Sequence, residues 1–447
     1  MAGTSKPGTV FTKQQRIAEL AKQSPSMAFT SLNHHLDLVW LIEAYQRTRK
    51  DGAPGVDGQT AQDYSRSLLD NLTALLNRAK SGTYRAPPVR RVRIPKETGT
   101  ETRPLGIPTL EDKILQRAVV MALEPIYEQD FRDCSYGFRP GRSAHDALKA
   151  LRSEIMSMNG GWVVELDIES FFDTLEHHQL RNFLDLRVRD GVIRRAIGKW
   201  CNAGVLEAGA LKYPDEGTPQ GGVISPLLAN IYLHEVLDKW FVREVQPRLE
   251  GRASLFRYAD DAVIVLSSEA DARRLLAVLP KRFGRFGLRL HPEKTRLVRF
   301  TRPPLHWSAK NGGGKPESFD FLGFTHYWAR ARTGGWSMKS KTAKARFTRA
   351  IKRIRAWCRE NRHWSIPDQH GALVRKLRGH YGYYGITGNS RAITEFEHQT
   401  RHAWRKWLNR RSDKAGMTWA LFEQLMQRLP LPTARIAHHF RPASANA

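Results

Sequence analysis

Two apolar segments constrain the fold of this chain most, because one carries an aspartate at its end and the other carries two aspartates in its middle. In residues 163–167, Val-Val-Glu-Leu-Asp, strand side chains alternate between faces, so Asp167 ends a largely apolar strand. In residues 255–266, Asp260 and Asp261 lie between two apolar runs. Like charges beside apolar strands cost free energy unless a cation or proton compensates. The pattern predicts a hairpin and a further strand, each presenting carboxylates.

The chemistry of these carboxylates depends on whether the strands are neighbours. Two consecutive aspartates are common in turns, so Asp260 and Asp261 alone indicate little. If Asp167 lies on the adjacent strand, the three carboxylates form a hard-oxygen site suited to Mg²⁺. Two such ions, about 4 Å apart, would activate an attacking hydroxyl and stabilise a leaving pyrophosphate, as in polymerases.

The charge of the chain favours a polyanionic partner. Its 447 residues include 72 Lys and Arg against 44 Asp and Glu, a formal charge of +28. Residues 301–447 hold 28 of the basic and 8 of the acidic residues, a net charge of +20. Aromatic rings that stack on bases are interleaved with these cations, although some must belong to a core. The rings are Trp357, Trp364, Tyr381, Tyr383, Tyr384, Trp404, Trp407 and Trp419.

Other classes of protein are disfavoured by composition. The chain has no apolar run of about 18 residues and no signal-peptide core near its start, so we expect no membrane span and an intracellular location. Its 3 cysteines are too scattered for a disulfide framework or a zinc site. Paired histidines at 34–35, 177–178 and 438–439 lack ligand partners at useful spacing.

Hydrophobic periodicity predicts an α+β core followed by an all-helical basic region. A Gly/Pro-rich turn at residues 52–58 separates two helices, and Thr109 with Asp112 predicts a capping-box-like helix start. The main predicted strands are 89–94, 103–107, 162–168, 253–258, 262–266 and 319–327. The main predicted helices are 32–49, 61–80, 109–129, 143–158, 223–241, 269–286, 341–359, 367–384, 390–411 and 417–429.

Seven short motifs occur in one order along the chain. They are Arg103-Pro-Leu-Gly-Ile-Pro108, Tyr136-Gly-Phe-Arg-Pro-Gly-Arg-Ser143, Leu166-Asp-Ile-Glu-Ser-Phe-Phe-Asp173, Gly217-Thr-Pro-Gln-Gly-Gly-Val-Ile-Ser-Pro226, Tyr258-Ala-Asp-Asp261, His291-Pro-Glu-Lys-Thr295 and Phe321-Leu-Gly-Phe324. In this order the chain resembles group II intron-encoded reverse transcriptase/maturases, in particular the branch without a C-terminal endonuclease domain.

The resemblance implies a right-hand polymerase with an all-α thumb. Residues 1–60 would be a helical N-terminal extension, 61–330 the fingers and palm, and 331–447 the thumb and RNA-binding maturase domain. RNA-directed DNA synthesis would extend a DNA or RNA primer with dNTPs, using two Mg²⁺ ions or Mn²⁺ as a substitute. Group II intron RNA or another RNA template and a DNA target would be the partners, in the bacterial cytoplasm or nucleoid.

The resemblance also assigns roles to single residues. Asp167, Asp260 and Asp261, with the Ile168 carbonyl, would bind metal, and Lys294 would protonate the departing pyrophosphate. Phe172 would exclude the ribose 2′-OH, whereas Phe171 belongs to the core because adjacent side chains diverge. The remaining implied contacts are Lys96, Arg103 and Gln220 for the nucleotide, Phe321, Leu322 and Gly323 for the primer, and Arg401 and Arg405 for RNA.

Two alternatives remain open at the sequence level. The chain could be a splicing cofactor with little polymerase activity, although all three carboxylates are present. It could also be a domesticated relative that serves defence or DNA repair with the same chemistry.

Overall fold

The computed structural model describes residues 7–95, 102–207, 210–212, 221–307, 316–331, 334–412 and 416–440. The chain divides into two compact units. The first comprises Met1–Ala144, Leu166–Ile264 and Ala270–Arg296, and the second comprises His145–Glu165, Val265–Glu269 and Leu297–Ala447.

Fourteen α-helices lie in the described ranges, and none is long and apolar enough to cross a membrane. They are α1 (Pro7–Gln23), α2 (Leu38–Arg47), α3 (Ala61–Ser65), α4 (Leu68–Ser81), α5 (Leu110–Asp130), α6 (Ala144–Ser157), α7 (His177–Asp185), α8 (Gly191–Cys201), α9 (Ser225–Leu233), α10 (Glu269–Gly284), α11 (Lys344–Glu360), α12 (Ile366–Tyr384), α13 (Ser390–Leu408) and α14 (Trp419–Arg428).

The described strands form three sheets, with orders β2-β1-β4-β5, β6-β7-β3-β8 and β11-β10-β9. Together with the helices, they confirm the predicted α+β fold. The strands are β1 (Val89–Pro95), β2 (Thr102–Ile107), β3 (Trp162–Leu166), β4 (Val205–Glu207), β5 (Ala210–Lys212), β6 (Ala253–Tyr258), β7 (Asp261–Leu266), β8 (Arg296–Arg299), β9 (Phe319–Phe321), β10 (Phe324–Arg330) and β11 (Trp336–Thr342).

Helix α5 begins after the residue that the sequence predicts, but the predicted capping box does not form. The Thr109 hydroxyl accepts a hydrogen bond from the Asp112 backbone N–H at 3.2 Å. The Asp112 carboxylate accepts hydrogen bonds from the Tyr84 hydroxyl and the Trp200 indole instead of the Thr109 backbone. It is buried, and these donors satisfy it there.

The Gly/Pro-rich turn at residues 52–58 packs against the start of α5. A Cβ atom at Gly55 would lie 2.6 Å from the Thr109 backbone, so only glycine permits this approach. The Arg90 guanidinium donates to the Pro54 carbonyl at 2.9 and 3.1 Å. The turn is therefore anchored between α5 and β1.

Two predicted element boundaries in the second unit are wrong. The predicted strand 319–327 is two antiparallel strands, β9 and β10, because the chain reverses at Leu322 and Gly323. Both residues have positive φ, +52° and +78°, which ends an extended strand. The helix predicted from residue 341 begins at Lys344, since residues 341 and 342 complete β11.

Helices α11–α14 enclose an apolar core in the second unit. Trp404 and Leu408 are 0% and 1% exposed, which confirms the predicted buried stripe of α13. Tyr381 is also buried, whereas Trp364 and Trp419 are 50% and 41% exposed. The aromatic residues of this region therefore divide between the core and the surface.

Candidate active site

Strand β3 brings Asp167 to one end of the β6-β7-β3-β8 sheet. Residues 163–166 are buried, and Asp167, directly after the strand, keeps 38% of its side chain exposed. Glu165, the other carboxylate here, is buried and accepts a hydrogen bond from the Asp320 backbone N–H at 2.8 Å. Asp167 is thus the carboxylate of this segment that solvent or substrate can reach.

The turn between β6 and β7 presents Asp260 and Asp261. Both side chains are exposed, while residues 262–266 of β7 are buried. Ala259, just before the turn carboxylates, has φ of +57°. A non-glycine residue in this region is strained, so packing must hold the turn in place.

The two carboxylate-bearing elements are neighbours in the sheet. A Cβ atom at Gly161, just before β3, would lie 2.3 Å from the Leu266 carbonyl oxygen at the end of β7. The strands are therefore antiparallel, and the end of β3 lies beside the start of β7. This topology brings Asp167, Asp260 and Asp261 to the same end of the sheet.

Lys294 faces the same site. Its Nζ lies 2.8 Å from Asp167 Oδ2, and its side chain is 61% exposed. Backbone hydrogen bonds hold the surrounding segment, from His291 N–H to the Asp167 carbonyl at 2.8 Å and from Glu169 N–H to the Arg289 carbonyl at 2.9 Å. A largely exposed cation is thus placed against a candidate metal ligand.

The Ile168 carbonyl points away from residues 289–291, the segment that faces it. Ile168 faces Leu290 in an antiparallel bridge, and the flanking hydrogen bonds use the Asp167 carbonyl and the Glu169 N–H. In such a non-hydrogen-bonded pair, the carbonyl of the central residue points to the opposite side. In the sheet order that side is occupied by β7.

The donor atoms suit a hard divalent cation, since carboxylate and carbonyl oxygens are the ligands that Mg²⁺ prefers. Within the described part of the chain, however, no group of three or more His, Cys, Asp or Glu side chains is arranged to hold a metal ion. Asp167 is paired with Lys294 instead. The metal-ligand roles of Asp167, Ile168, Asp260 and Asp261 stay predictions.

Phe171 and Phe172 diverge as the sequence predicts. Phe171 is 3% exposed and packs edge-on against Tyr232, whereas Phe172 is partly exposed. Ser170, just before them, has φ of +45°, which redirects the chain after β3. Phe172 is therefore the ring of this pair that is available to a substrate.

The predicted nucleotide contacts lie mostly outside the described residues. Lys96 and Gln220 are among these undescribed positions, and Arg103 is described only as a backbone position in β2, opposite Ile94 in β1. Next to Gln220, a Cβ atom at Gly221 would lie 2.4 Å from the Gly106 carbonyl. This glycine therefore permits close packing on β2.

The predicted primer contacts form the reversal between β9 and β10. Phe321 is 1% exposed, so its ring belongs to the core of the second unit. Leu322 and Gly323 are partly exposed, and the Tyr383 hydroxyl donates to the Leu322 carbonyl at 2.9 Å. Backbone atoms of the turn are thus better placed for a ligand than the Phe321 side chain.

Arg401 and Arg405 lie on the same face of α13 and are both partly exposed, and each also contacts a neighbouring helix. Arg401 forms hydrogen bonds to Glu423 at 2.6 and 2.8 Å, and the Arg405 guanidinium lies 4.2 Å from the Trp419 ring centre. Both contacts are to α14, which covers this face of α13. Their predicted role in RNA binding remains untested.

Helix α11 carries a cationic face that the sequence analysis did not single out. It buries Ile351, Ile354 and Cys358 and contains one acidic residue, Glu360. The helical spacing of its basic residues could have indicated this face. Its exposed cations are Lys344, Lys352, Arg353, Arg355 and Arg359.

Arg257, three residues before Asp260, was also missed. It is 0% exposed and pairs with Asp238, also 0% exposed, at 2.5 Å. Burial would lower the pKa of Arg257, but the charge and hydrogen bonds of Asp238 raise it. A cation within an apolar strand needs a partner, and this could have been noted from the sequence.

A sheet with carboxylates at one end of adjacent strands and a basic helical region are features of palm-type nucleic acid polymerases. The chain belongs to the reverse transcriptase family. The family model "Reverse transcriptase (RNA-dependent DNA polymerase)" matches residues 94–326, and "Group II intron, maturase-specific domain" matches residues 347–425. The predicted class, a group II intron-type RNA-directed DNA polymerase, is thereby confirmed, and this family uses divalent metal ions.

Similar proteins come from bacteria and eukaryotes. Protein YkfC of Escherichia coli is 37% identical over 324 residues, which cover 64% of this chain and 83% of YkfC. The group II intron-encoded protein LtrA of Lactococcus lactis is 40% identical over 237 residues, 51% of this chain and 38% of LtrA. Nuclear intron maturase 2 of Arabidopsis thaliana is 26% identical over 342 residues, 63% of this chain and 43% of that protein.

Proposed function

We propose that this chain copies RNA into DNA at the end of the sheet that bears Asp167, Asp260 and Asp261. The observation that supports this most is the topology, since two adjacent antiparallel strands bring these carboxylates to one end of the sheet. All three lie within the segment matched by the reverse transcriptase family model.

The three carboxylates and the Ile168 carbonyl would hold two Mg²⁺ ions, with Mn²⁺ as a substitute. When bound, such ions lower the pKa of the primer 3′-hydroxyl and neutralise charge on the pyrophosphate. Lys294 would leave Asp167 for the departing pyrophosphate and donate a proton to it. Its exposure and its contact with Asp167 support this role.

The nucleotide would be held by residues around this site. Lys96 and Arg103 would bind the triphosphate, as a point charge and a bidentate fork, and Gln220 would contact the incoming base pair. Phe172 would close the space beside the ribose, so that a 2′-hydroxyl collides with its ring.

The proposed domain assignment follows the sequence prediction. Residues 61–330 would form the fingers and palm, residues 331–447 the thumb and maturase domain, and residues 1–60 a helical extension. The turn formed by Phe321, Leu322 and Gly323 would contact the primer. Arg401, Arg405 and the exposed cations of α11 would bind RNA.

Primer extension on an RNA template with dNTPs and Mg²⁺ tests the polymerase proposal. We expect extension by the natural chain and its loss in Asp260→Ala. The matched control is Asp70→Ala, which removes an exposed carboxylate from the start of α4 and should leave extension unchanged. Activity that survives in Asp260→Ala would show that the catalytic carboxylates are wrongly assigned.

A second candidate function is assistance of intron splicing. The maturase-specific match at residues 347–425 and the basic surface of α11 favour it. The partners would be a group II intron RNA and a DNA target, in the cytoplasm or nucleoid of a bacterium. A chain that binds structured RNA and promotes splicing without primer extension would support this function alone.

A further inference from the structure

A buried polar cluster centred on Arg257 lies next to the turn that carries Asp260 and Asp261. Arg257 uses all five of its guanidinium N–H groups there. The Nε–H group and one Nη2–H group donate to the Asp238 carboxylate at 2.7 and 2.5 Å. The other Nη2–H group donates to the Ser135 hydroxyl at 2.7 Å. Nη1 donates to Asn230 Oδ1 and to the Ala259 carbonyl, both at 2.9 Å.

The bond to Ala259 is the one that reaches the candidate active site. Ala259 precedes Asp260 and has φ of +57°, a conformation that costs an alanine on the order of 1 kcal/mol. The carbonyl that Arg257 binds belongs to the peptide group between Ala259 and Asp260. A fully buried fork with no unused donor therefore sets the orientation of that peptide group.

The backbone at Gly137 packs against the same turn. A Cβ atom at Gly137 would lie 2.4 Å from the Ala259 backbone nitrogen, so the two backbones are in contact. Asn230 joins both sides, because its Nδ2 donates to the Gly137 carbonyl at 2.7 Å while its Oδ1 accepts from Arg257. The turn is thus held by Arg257, whose partners include Asn230 of α9 and Asp238 beyond the end of α9, and by the backbone at Gly137.

We propose that Arg257, supported by Asn230 and Asp238, is a positioning residue that holds Asp260 and Asp261 in the arrangement needed for metal binding. This inference rests on the proposed polymerase function. Arg257 acts through the Ala259 carbonyl and contacts no substrate. Since the carboxylates are exposed and carried by a strained turn, their spacing depends on this support.

The test compares Arg257→Lys with Arg187→Lys. Lysine keeps the charge beside Asp238 but cannot also donate to Asn230, Ser135 and Ala259 from one rigid plane. Arg187 is a matched control: its side chain is 7% exposed, it pairs with Asp130 at 2.8 Å, and it donates to four backbone carbonyls within residues 21–27. Both substitutions should lower the free energy of unfolding.

Three measurements separate positioning from a structural role. In Arg257→Lys we expect faster amide hydrogen exchange at residues 259–262, at least tenfold weaker Mn²⁺ binding in paramagnetic resonance titrations, and a higher Mg²⁺ requirement for primer extension. Arg187→Lys should change none of these. Equal behaviour of the two variants would overturn the inference.

The outcomes also separate this inference from the proposed function. Absence of extension by the natural chain would refute the polymerase proposal, while amide exchange would still report whether Arg257 holds the turn. If Arg257→Lys does not fold, Asn230→Ser removes one partner of Arg257 and the bond to Gly137 without removing a charge. Unchanged exchange and Mn²⁺ binding in that folded variant would overturn the inference.

Discussion

At the scale of single residues, burial disfavours the ionised form of the Asp112 carboxyl group. It is 1% exposed, and its nearest donors are the Tyr84 hydroxyl and the Trp200 indole. Burial raises the pKa of Asp112 to about 7, although the hydrogen bond from Trp200 lowers it in part. The folded chain therefore keeps this proton at pH values where an unfolded chain has lost it.

We predict that Asp112 makes the free energy of unfolding fall as pH rises from about 4 to about 7. In this window the folded state binds the proton and the unfolded state does not, so each pH unit favours unfolding. Asp112→Asn should remove this component, on the order of a few kcal/mol in total. Urea unfolding of both chains at several pH values measures it.

The control for this prediction is Asp70→Asn, because Asp70 is exposed at the start of α4. The component that Asp112→Asn removes should persist in Asp70→Asn. Parallel stability curves for Asp112→Asn and the natural chain would show that burial does not raise the pKa of Asp112.

A substitution of Phe172 tests whether this ring discriminates dNTPs from NTPs. Phe172→Ala should open space beside the ribose, so that the preference for dNTPs over NTPs falls by at least about tenfold. Single-nucleotide incorporation with matched dNTP and NTP gives the ratio of kcat/KM values. Phe172→Tyr, which keeps the ring, should retain the preference, and unchanged selectivity in Phe172→Ala would exclude the ring as the gate.

At the scale of elements, α11 combines a buried apolar stripe with an exposed basic face. Its buried residues, Ile351, Ile354 and Cys358, follow helical spacing, and they hold the helix on the core of the second unit. The exposed side then presents Lys352 and Arg353 side by side. Phosphate contacts of this kind contribute affinity without sequence preference.

We predict that the double change Lys352→Gln and Arg353→Gln weakens RNA binding and reduces its salt dependence. Loss of two phosphate contacts should lower the slope of log affinity against log salt by roughly 1.4 for single-stranded RNA. Filter binding across a salt series measures this slope. The same charge change at the exposed residues Arg66 and Lys80 is the control, and an equal effect there would point to overall charge alone.

At the scale of the whole molecule, the two family matches occupy different parts of the chain. The reverse transcriptase match covers residues 94–326, and the maturase-specific match covers residues 347–425. The region from residue 301 onward also carries a net charge of +20 out of +28. The two family matches and most of the net charge thus fall in largely separate stretches of the chain.

We therefore predict that Asp260→Ala abolishes DNA synthesis but leaves RNA binding and splicing assistance intact. A group II intron RNA serves as the substrate, and spliced product is quantified beside primer extension. The α11 double variant is the comparison, and we expect it to reduce both activities because both require RNA binding. Loss of splicing in a folded Asp260→Ala chain would mean that the two functions share the carboxylate site.

Much of the fold was predictable because local patterns report burial. Short apolar runs identified β3, β6 and β7, and helical spacing identified the buried Trp404 and Leu408. The reversal at Leu322 was not predictable, because a non-glycine residue at positive φ has no clear local signal. Helices α7 and α8 were missed as well.

The sequence by itself determined the fold class, the family and the positions of the carboxylates, since each follows from the order and spacing of nearby residues. Only the tertiary structure decided which side chains form hydrogen bonds with one another. Arg257 meets Ser135, 122 residues away, and Asp112 meets Trp200, 88 residues away. The energy of a buried charge depends on which groups packing brings within hydrogen-bond distance, and linear spacing does not encode that.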